Sequence, residues 1–163
     1  MGGPVETIEQ LIAQAPVFEG LETAQLALIA GCARNEHVEA GTVLLREGEA
    51  ADRFFLIRRG IVGLEVHAPG RGPLRIETLH DGDVVGWSWL FAPYRWQMDG
   101  RVITSSSLVA FDGACLRGKC EFDHELGYQL MRRFAASVVD RLQATRLQLL
   151  DVYGSSTAPG AKR

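Results

Sequence analysis

A surplus of positive charge is the first thing this sequence lacks. Its 17 Lys and Arg are outnumbered by 20 Asp and Glu, leaving a formal net charge of −3. Nucleic-acid binding draws much of its affinity from phosphate neutralisation, and this balance supplies no basic footprint for it. Arg132, Arg133, Arg141 and Arg146 are interspersed with Glu125, Asp140 and Asp151, the pattern of a solvated helix face. No apolar run is long enough to span a bilayer. The start, Met1-Gly2-Gly3-Pro4, has no apolar signal core, and Glu6 stands where myristoylation wants Ser or Thr. Cysteine is scarce. Cys32, Cys115 and Cys120 form an odd set, which reads as buried thiols in a reducing cytoplasm. Cys115 and Cys120 would be neighbours on one helix, but with no His at ligand spacing no metal is expected. His80, Asp81 and Asp83 read as turn caps rather than ligands. No Ser/His/Asp order, HExxH or P-loop occurs, and Ser105-Ser106-Ser107 has no adjacent base. No enzymatic function is read.

What is present is enough apolar residue for one folded domain: 47% of 163 residues. Val5, Ile8, Leu11 and Ile12 mark a first helix within residues 1–16, ended by Ala15-Pro16. Leu26, Ile29 and Cys32 mark a second, over residues 22–34. The period then shortens. Strands are expected at His37–Gly41, Thr42–Glu47, Arg53–Arg58 and Ile61–Val66, broken at Gly60, then at Leu74–Leu79, Arg101–Ser106 and Leu108–Phe111. The run Phe54-Phe55-Leu56-Ile57 reads as covered on both faces, and Leu74, Ile76 and Leu79 as the inward positions of their strand. Beyond Gly113 the period is helical again: a short helix at Ala114–Glu121, then a long one at residues 124–153. A tail at 154–163 reads as unfolded. The fold class is therefore mainly β with flanking helices, a β-roll or jelly roll between two N-terminal helices and a long C-terminal one.

Gly82–Phe91 is the stretch the rest is arranged around. A Gly-Asp turn and two valines lead to Gly86, and Trp87-Ser88-Trp89-Leu90 then reads as one helical turn. Amides freed at such a turn suit a small anion or phosphate; a buried aromatic corner would use the same residues without a ligand.

Val38-Glu39-Ala40-Gly41, Leu45–Glu49, Phe54–Gly60 and Gly82-Asp83-Val84-Val85-Gly86, in that order, resemble the cyclic nucleotide-binding domain family of catabolite activator-like regulators and kinase regulatory subunits. The resemblance covers residues 17–153. It implies that the last stretch opens the family's phosphate-binding cassette, with Gly86, Trp87, Ser88, Trp89, Leu90, Arg95 and Gln97 as ligand-facing candidates. It also implies a departure. Trp87 follows Gly86 where the family has the Glu that accepts from the ribose 2′-hydroxyl, and Gln97 stands where it has the phosphate-pairing Arg. Arg95 or Arg101 could take that role, and Trp87, Trp89 and Trp96 could instead fill the pocket.

Met131, Phe134, Val138, Leu142, Thr145, Leu149 and Val152 lie three or four residues apart, nearly a heptad seam. With the resemblance, that seam implies a homodimer through the C-terminal helix, while Leu126, Leu130 and Leu150 could pack on the roll. The family's regulators carry a DNA-reading helix pair beyond this helix; only about ten residues follow Tyr153 here, so no direct DNA binding is expected. Three functions fit. The first is a sensing domain for cyclic AMP, cyclic GMP or another small anion, with no required cofactor, acting through the C-terminal helix. The second is a ligand-free scaffold for a protein partner. The third is a transcriptional regulator without its own DNA-binding domain.

Overall fold

The computed structural model describes residues 3–155. Helix α1, Ile8–Ala13, starts at a capping box: the Thr7 side chain accepts from the Gln10 N–H, and the Gln10 side chain accepts from the Thr7 N–H. A 3₁₀ turn at Pro16–Phe18 and helix α2, Thr23–Ala30, complete the N-terminal arm. The six strands are β1 Ala33–Val38, β2 Val43–Leu45, β3 Arg53–Ala68, β4 Gly72–Leu79, β5 Val84–Val85 and β6 Asp99–Asp112. They pair antiparallel in the order β1-β6-β3-β4, with β2 on β6 and β5 on β3. Helices α3, Gly113–Phe122, and α4, His124–Ser155, follow.

The expected break at Gly60 does not occur. β3 runs through it as one strand, and the irregularity is absorbed as register shifts against β6 between Ile57 and Val62. Gly60 is needed for another reason: φ is 132°, and a Cβ there would lie 2.0 Å from Ser106 Oγ. The two expected last strands are likewise one, β6, which pairs with β1, β2 and β3 along its length.

Phe54, Phe55, Leu56 and Ile57 are all buried, as their unbroken run suggested. Leu74 and Ile76 are not: they are 55% and 41% exposed, and only Leu79 of that strand is buried. β4 is an edge strand. Its partners near the hairpin tip, Val66, His67 and Ala68, are themselves outside the core, so no layer covers Leu74 or Ile76.

The core is organised around Phe54. Its ring stacks on Phe111 and Trp89, each at 4.4 Å, and the Phe134 edge meets both Phe54 and Trp89 at 5.6 and 5.3 Å. Leu126, Leu130 and Phe134 thus pack α4 onto the roll. Leu150, expected to join them, is 65% exposed because α4 outruns the roll.

Three free thiols were expected, with Cys115 near Cys120. Cys32 and Cys115 instead form a disulfide, and Cys120 alone is free. Strand register is the reason. Ala33 faces Phe111 across the β1–β6 ladder, which brings Cys32 beside the start of α3. The Asp112 N–H seals the junction by donating to the Cys32 carbonyl. Among the described residues no helix is long and apolar enough to cross a membrane. Of the expected unfolded tail, Gly154 and Ser155 extend α4, and 156–163 lie outside the described residues.

Candidate functional site

The cassette segment leaves the sheet at β5, where Val84 and Val85 pair with Leu56 and Phe55. Of the polar residues before it, Asp83 caps its own turn and Asp81 ties that turn to β3. The His80 N–H donates to Asp83 Oδ2 and the Gly60 N–H to Asp81 Oδ1, each at 2.8 Å. Gly86 follows with φ 95°. Trp87–Leu90 closes as a single turn through the Leu90 N–H to the Trp87 carbonyl, with no helix behind it. Expected anion binding at a helix start therefore has no helix to supply the dipole.

The three tryptophans part company. Trp89 is fully buried in the core stack. Trp96 lies across the pocket. A Cβ at Gly86 would sit 2.5 Å from its ring, so only glycine admits the indole. The Trp96 backbone is fixed by two bonds: its N–H donates to the Glu49 carbonyl and its carbonyl accepts from the Gly48 N–H. Leu45, Leu64, Trp87, Met98 and Gln97 close the rest, leaving a cavity of about 10 Å³. Small-molecule sites run to about 300–1,000 Å³, so in this conformation the pocket is filled by the protein itself.

Trp87 faces α4. The Arg141 guanidinium lies 4.8 Å from the centre of its ring and donates to the Val84 carbonyl at 2.8 Å, with Glu77 at 3.5 Å. Burial pulls the Arg141 pKa below its ordinary value, and Glu77 and Asp83 partly offset this. Arg141 is thus no solvated-face residue. Arg133 is not one either: it donates to the carbonyls of Val17 and Glu19.

Neither candidate phosphate arginine faces the pocket. Arg95 donates to the Gly48 carbonyl at 2.9 Å. Arg101 is held by Glu65 and the Gly41 carbonyl. The Gln97 side chain reaches back to the Arg95 carbonyl at 3.4 Å. Ser88 and Leu90 belong to the turn that the Leu90 N–H closes on the Trp87 carbonyl. Among the candidates, Gly86, Trp87, Ser88 and Gln97 share one small pocket; Trp89, Leu90 and Arg95 lie outside its lining. No group of His, Cys, Asp and Glu among the described residues could hold a metal ion.

Two site-bracing residues escaped the sequence reading. Arg117 on α3 donates to the Trp89 carbonyl at 2.5 Å and stacks on Tyr94 at 4.5 Å. Nothing local in the sequence marks it. Arg141 did carry a signal, because it continues the spacing Leu126, Leu130, Phe134 along the roll-facing side of α4.

The seam of α4 divides at Phe134. At about 100° per residue, Met131, Val138, Leu142, Thr145 and Leu149 fall within about 40° of one line, while Phe134 lies about 60° off it, toward Leu130. Phe134 is 1% exposed and belongs to the core, so its assignment to a dimer interface is corrected. Met131, Leu142 and Leu149 are 40%, 49% and 52% exposed.

Comparison with known proteins agrees with this architecture. A CRP-like cAMP-activated global transcriptional regulator of Mycobacterium tuberculosis is 26% identical over 145 residues, 89% of this chain and 63% of that protein. The chain thus spans less than two thirds of that curated relative. A Geobacter metallireducens structure named for cyclic nucleotide binding superposes with a TM-score of 0.75 at 28% identity, covering 85% of this chain and 99% of the other. The Thermus thermophilus catabolite activator protein shares the fold, with a TM-score of 0.67 at 18% identity over 86% of this chain and 63% of its own. The family model for the cyclic nucleotide-binding domain matches residues 35–122. That is more than half of the 163 residues, and with it the chain belongs to the cyclic nucleotide-binding domain family, one of regulatory binding domains and not of enzymes.

Proposed function

We propose that this is a regulatory domain whose cassette senses a small ligand and passes its state to α4, through which two copies pair. The observation that carries this reading is the Trp87–Arg141 contact. It joins the first residue after Gly86 directly to the helix that would make the dimer. A ligand entering beside Gly86 must displace Trp96 and press on Trp87, which moves the partner of Arg141. Ligand energy enters the helix equilibrium only through such a difference between states.

Simple cyclic nucleotides suit this pocket poorly. Trp87 offers no acceptor to a 2′-hydroxyl, and Gln97 offers no charge to a cyclic phosphate. Each missing charge-assisted bond is worth about 1.5–3 kcal/mol, so two turn a micromolar ligand into a millimolar one or weaker. The filled cavity favours a second reading, a ligand-free scaffold that pairs through the same helix.

Titration with cyclic AMP and cyclic GMP, followed by tryptophan fluorescence and calorimetry, tests both. Weak binding is expected in the natural chain, with an increase in Trp96→Ala. Micromolar binding that persists in Arg95→Ala would show that the family's cassette roles are carried by other residues here. No gain in Trp96→Ala, together with no small molecule released on denaturing the purified chain, would leave the scaffold reading.

A further inference from the structure

Cys32 follows α2, and Cys115 sits in the first turn of α3, 83 residues later. Cys32 is 7% exposed. Cys115 is half-buried, and both cysteines line an open groove of about 630 Å³ with Asp52, Arg53 and Ala114. A small thiol entering this groove therefore meets Cys115 as the more exposed of the two cysteines.

The junction does not rely on the disulfide alone. The Asp112 N–H donates to the Cys32 carbonyl at 2.8 Å, and Lys119 Nζ donates to the Leu28 carbonyl at 2.6 Å. These ties hold α2 to α3 when the sulfurs are apart. Cys120 is a poor competitor for exchange. Burial, then Asp123 and Glu121, push its thiol pKa up, and exchange needs the thiolate. Five residues along the helix from Cys115, it also lies about 140° around the axis.

α3 is also the brace of the cassette loop. Two residues after Cys115, Arg117 holds the Trp89 carbonyl and the Tyr94 ring. Fixing the first turn of α3 therefore fixes the base from which both ends of residues 89–94 are held.

We propose that Cys32–Cys115 is an exchangeable redox site, opened by a low-molecular-weight thiol, and that opening it loosens the cassette loop through Arg117. In the exchange, a small thiolate attacks Cys115 Sγ. The S–S bond breaks, and Cys32 leaves as a thiolate that takes a proton from solvent. A second small thiolate attacks the small-molecule sulfur of the mixed disulfide. Cys115 leaves and is protonated, and the small thiol departs as its own disulfide. Two electrons have passed from two small thiols to the protein bond. The exchange is independent of what the cassette binds; only the coupling rests on reading that loop as the responsive element.

Glutathione and the whole oxidised chain provide the test. After acid trapping, denaturation and alkylation, intact mass should show one labelled cysteine before reduction and all three after it, with the far-ultraviolet circular dichroism unchanged. Amide hydrogen exchange over residues 87–96 should quicken severalfold on reduction and in the Cys32→Ser, Cys115→Ser double variant. Cys120→Ser should leave it unchanged. A bond that stays closed in millimolar reduced glutathione overturns the proposal, as does loss of the fold on opening, which would make it a staple. Opening without any change in loop exchange overturns the coupling to the cassette. If the double variant fails to fold, the reduced natural chain still decides among these outcomes.

Discussion

From His124 to Arg141, helix α4 lies along the roll; from Leu142 to Leu150 every residue is exposed, four leucines among them. The helical period is the same in both halves, and so is the supply of apolar residues. In the first half, Leu126, Leu130 and Phe134 are at most 1% exposed, and Arg141 is tied to Trp87 and Val84. The second half offers Leu142, Leu147, Leu149 and Leu150 to solvent at 49–65%. Amphipathic spacing therefore says which residues share a line on a helix, but not whether that line finds a surface in its own chain. An apolar stripe left outside the fold is the pattern of an interaction surface.

The comparison is broken most severely at Phe134. Phe134→Ala should cost about 3–5 kcal/mol of folding stability, because it empties a place in the aromatic stack. Leu142→Ala should cost about 0.5 kcal/mol or less when the chain is dilute enough to be monomeric. Urea unfolding of the two variants decides this, and equal losses would mean that the halves do not differ as described.

Self-association should fail next. Val138→Glu with Leu142→Glu would put charge against charge across a paired stripe. Light scattering should fall from twice the chain mass to one chain mass, with folding nearly unchanged. A natural chain that is monomeric at high concentration would sink the pairing itself.

Arg141 marks the boundary between the halves. Arg141→Met keeps an apolar stem but loses the bond to Val84 and the contact with the Trp87 ring, at a cost of about 1–2 kcal/mol. Thermal unfolding measures the cost. A shift in tryptophan emission should accompany it, and an unshifted spectrum would argue that Trp87 does not feel the helix.

The smallest effect belongs to Leu149→Ala. Folding should change by less than about 0.5 kcal/mol, while the midpoint of self-association moves to higher concentration. Sedimentation over a dilution series would detect it.

The strands and helices were largely legible, because glycine punctuation and changes of period are local. The breaks at Gly60 and near Ser107 were not real ones. A long strand can pass a glycine or a run of serines when its partner strands shift register, and the partners are invisible to a local pattern. Of the candidate site, Gly86 was legible as a conformational requirement, and Trp87 and Gln97 could be read as positions that bring no charge. The separate fates of Trp87, Trp89 and Trp96 could not, since three indoles within ten residues have the same hydrophobicity and differ only in what lies opposite them.

By itself, the sequence determined the order of elements, the turns that need glycine, the acidic balance and the stripe on the last helix, all of which depend on neighbours along the chain. The tertiary structure alone decided that Trp96 fills the pocket, that Phe134 turns inward, that Arg141 meets Trp87 and that Cys32 meets Cys115. Each of these joins residues at least ten positions apart, or sorts nearby ones by what the fold places opposite them, and only the folded register sets those distances.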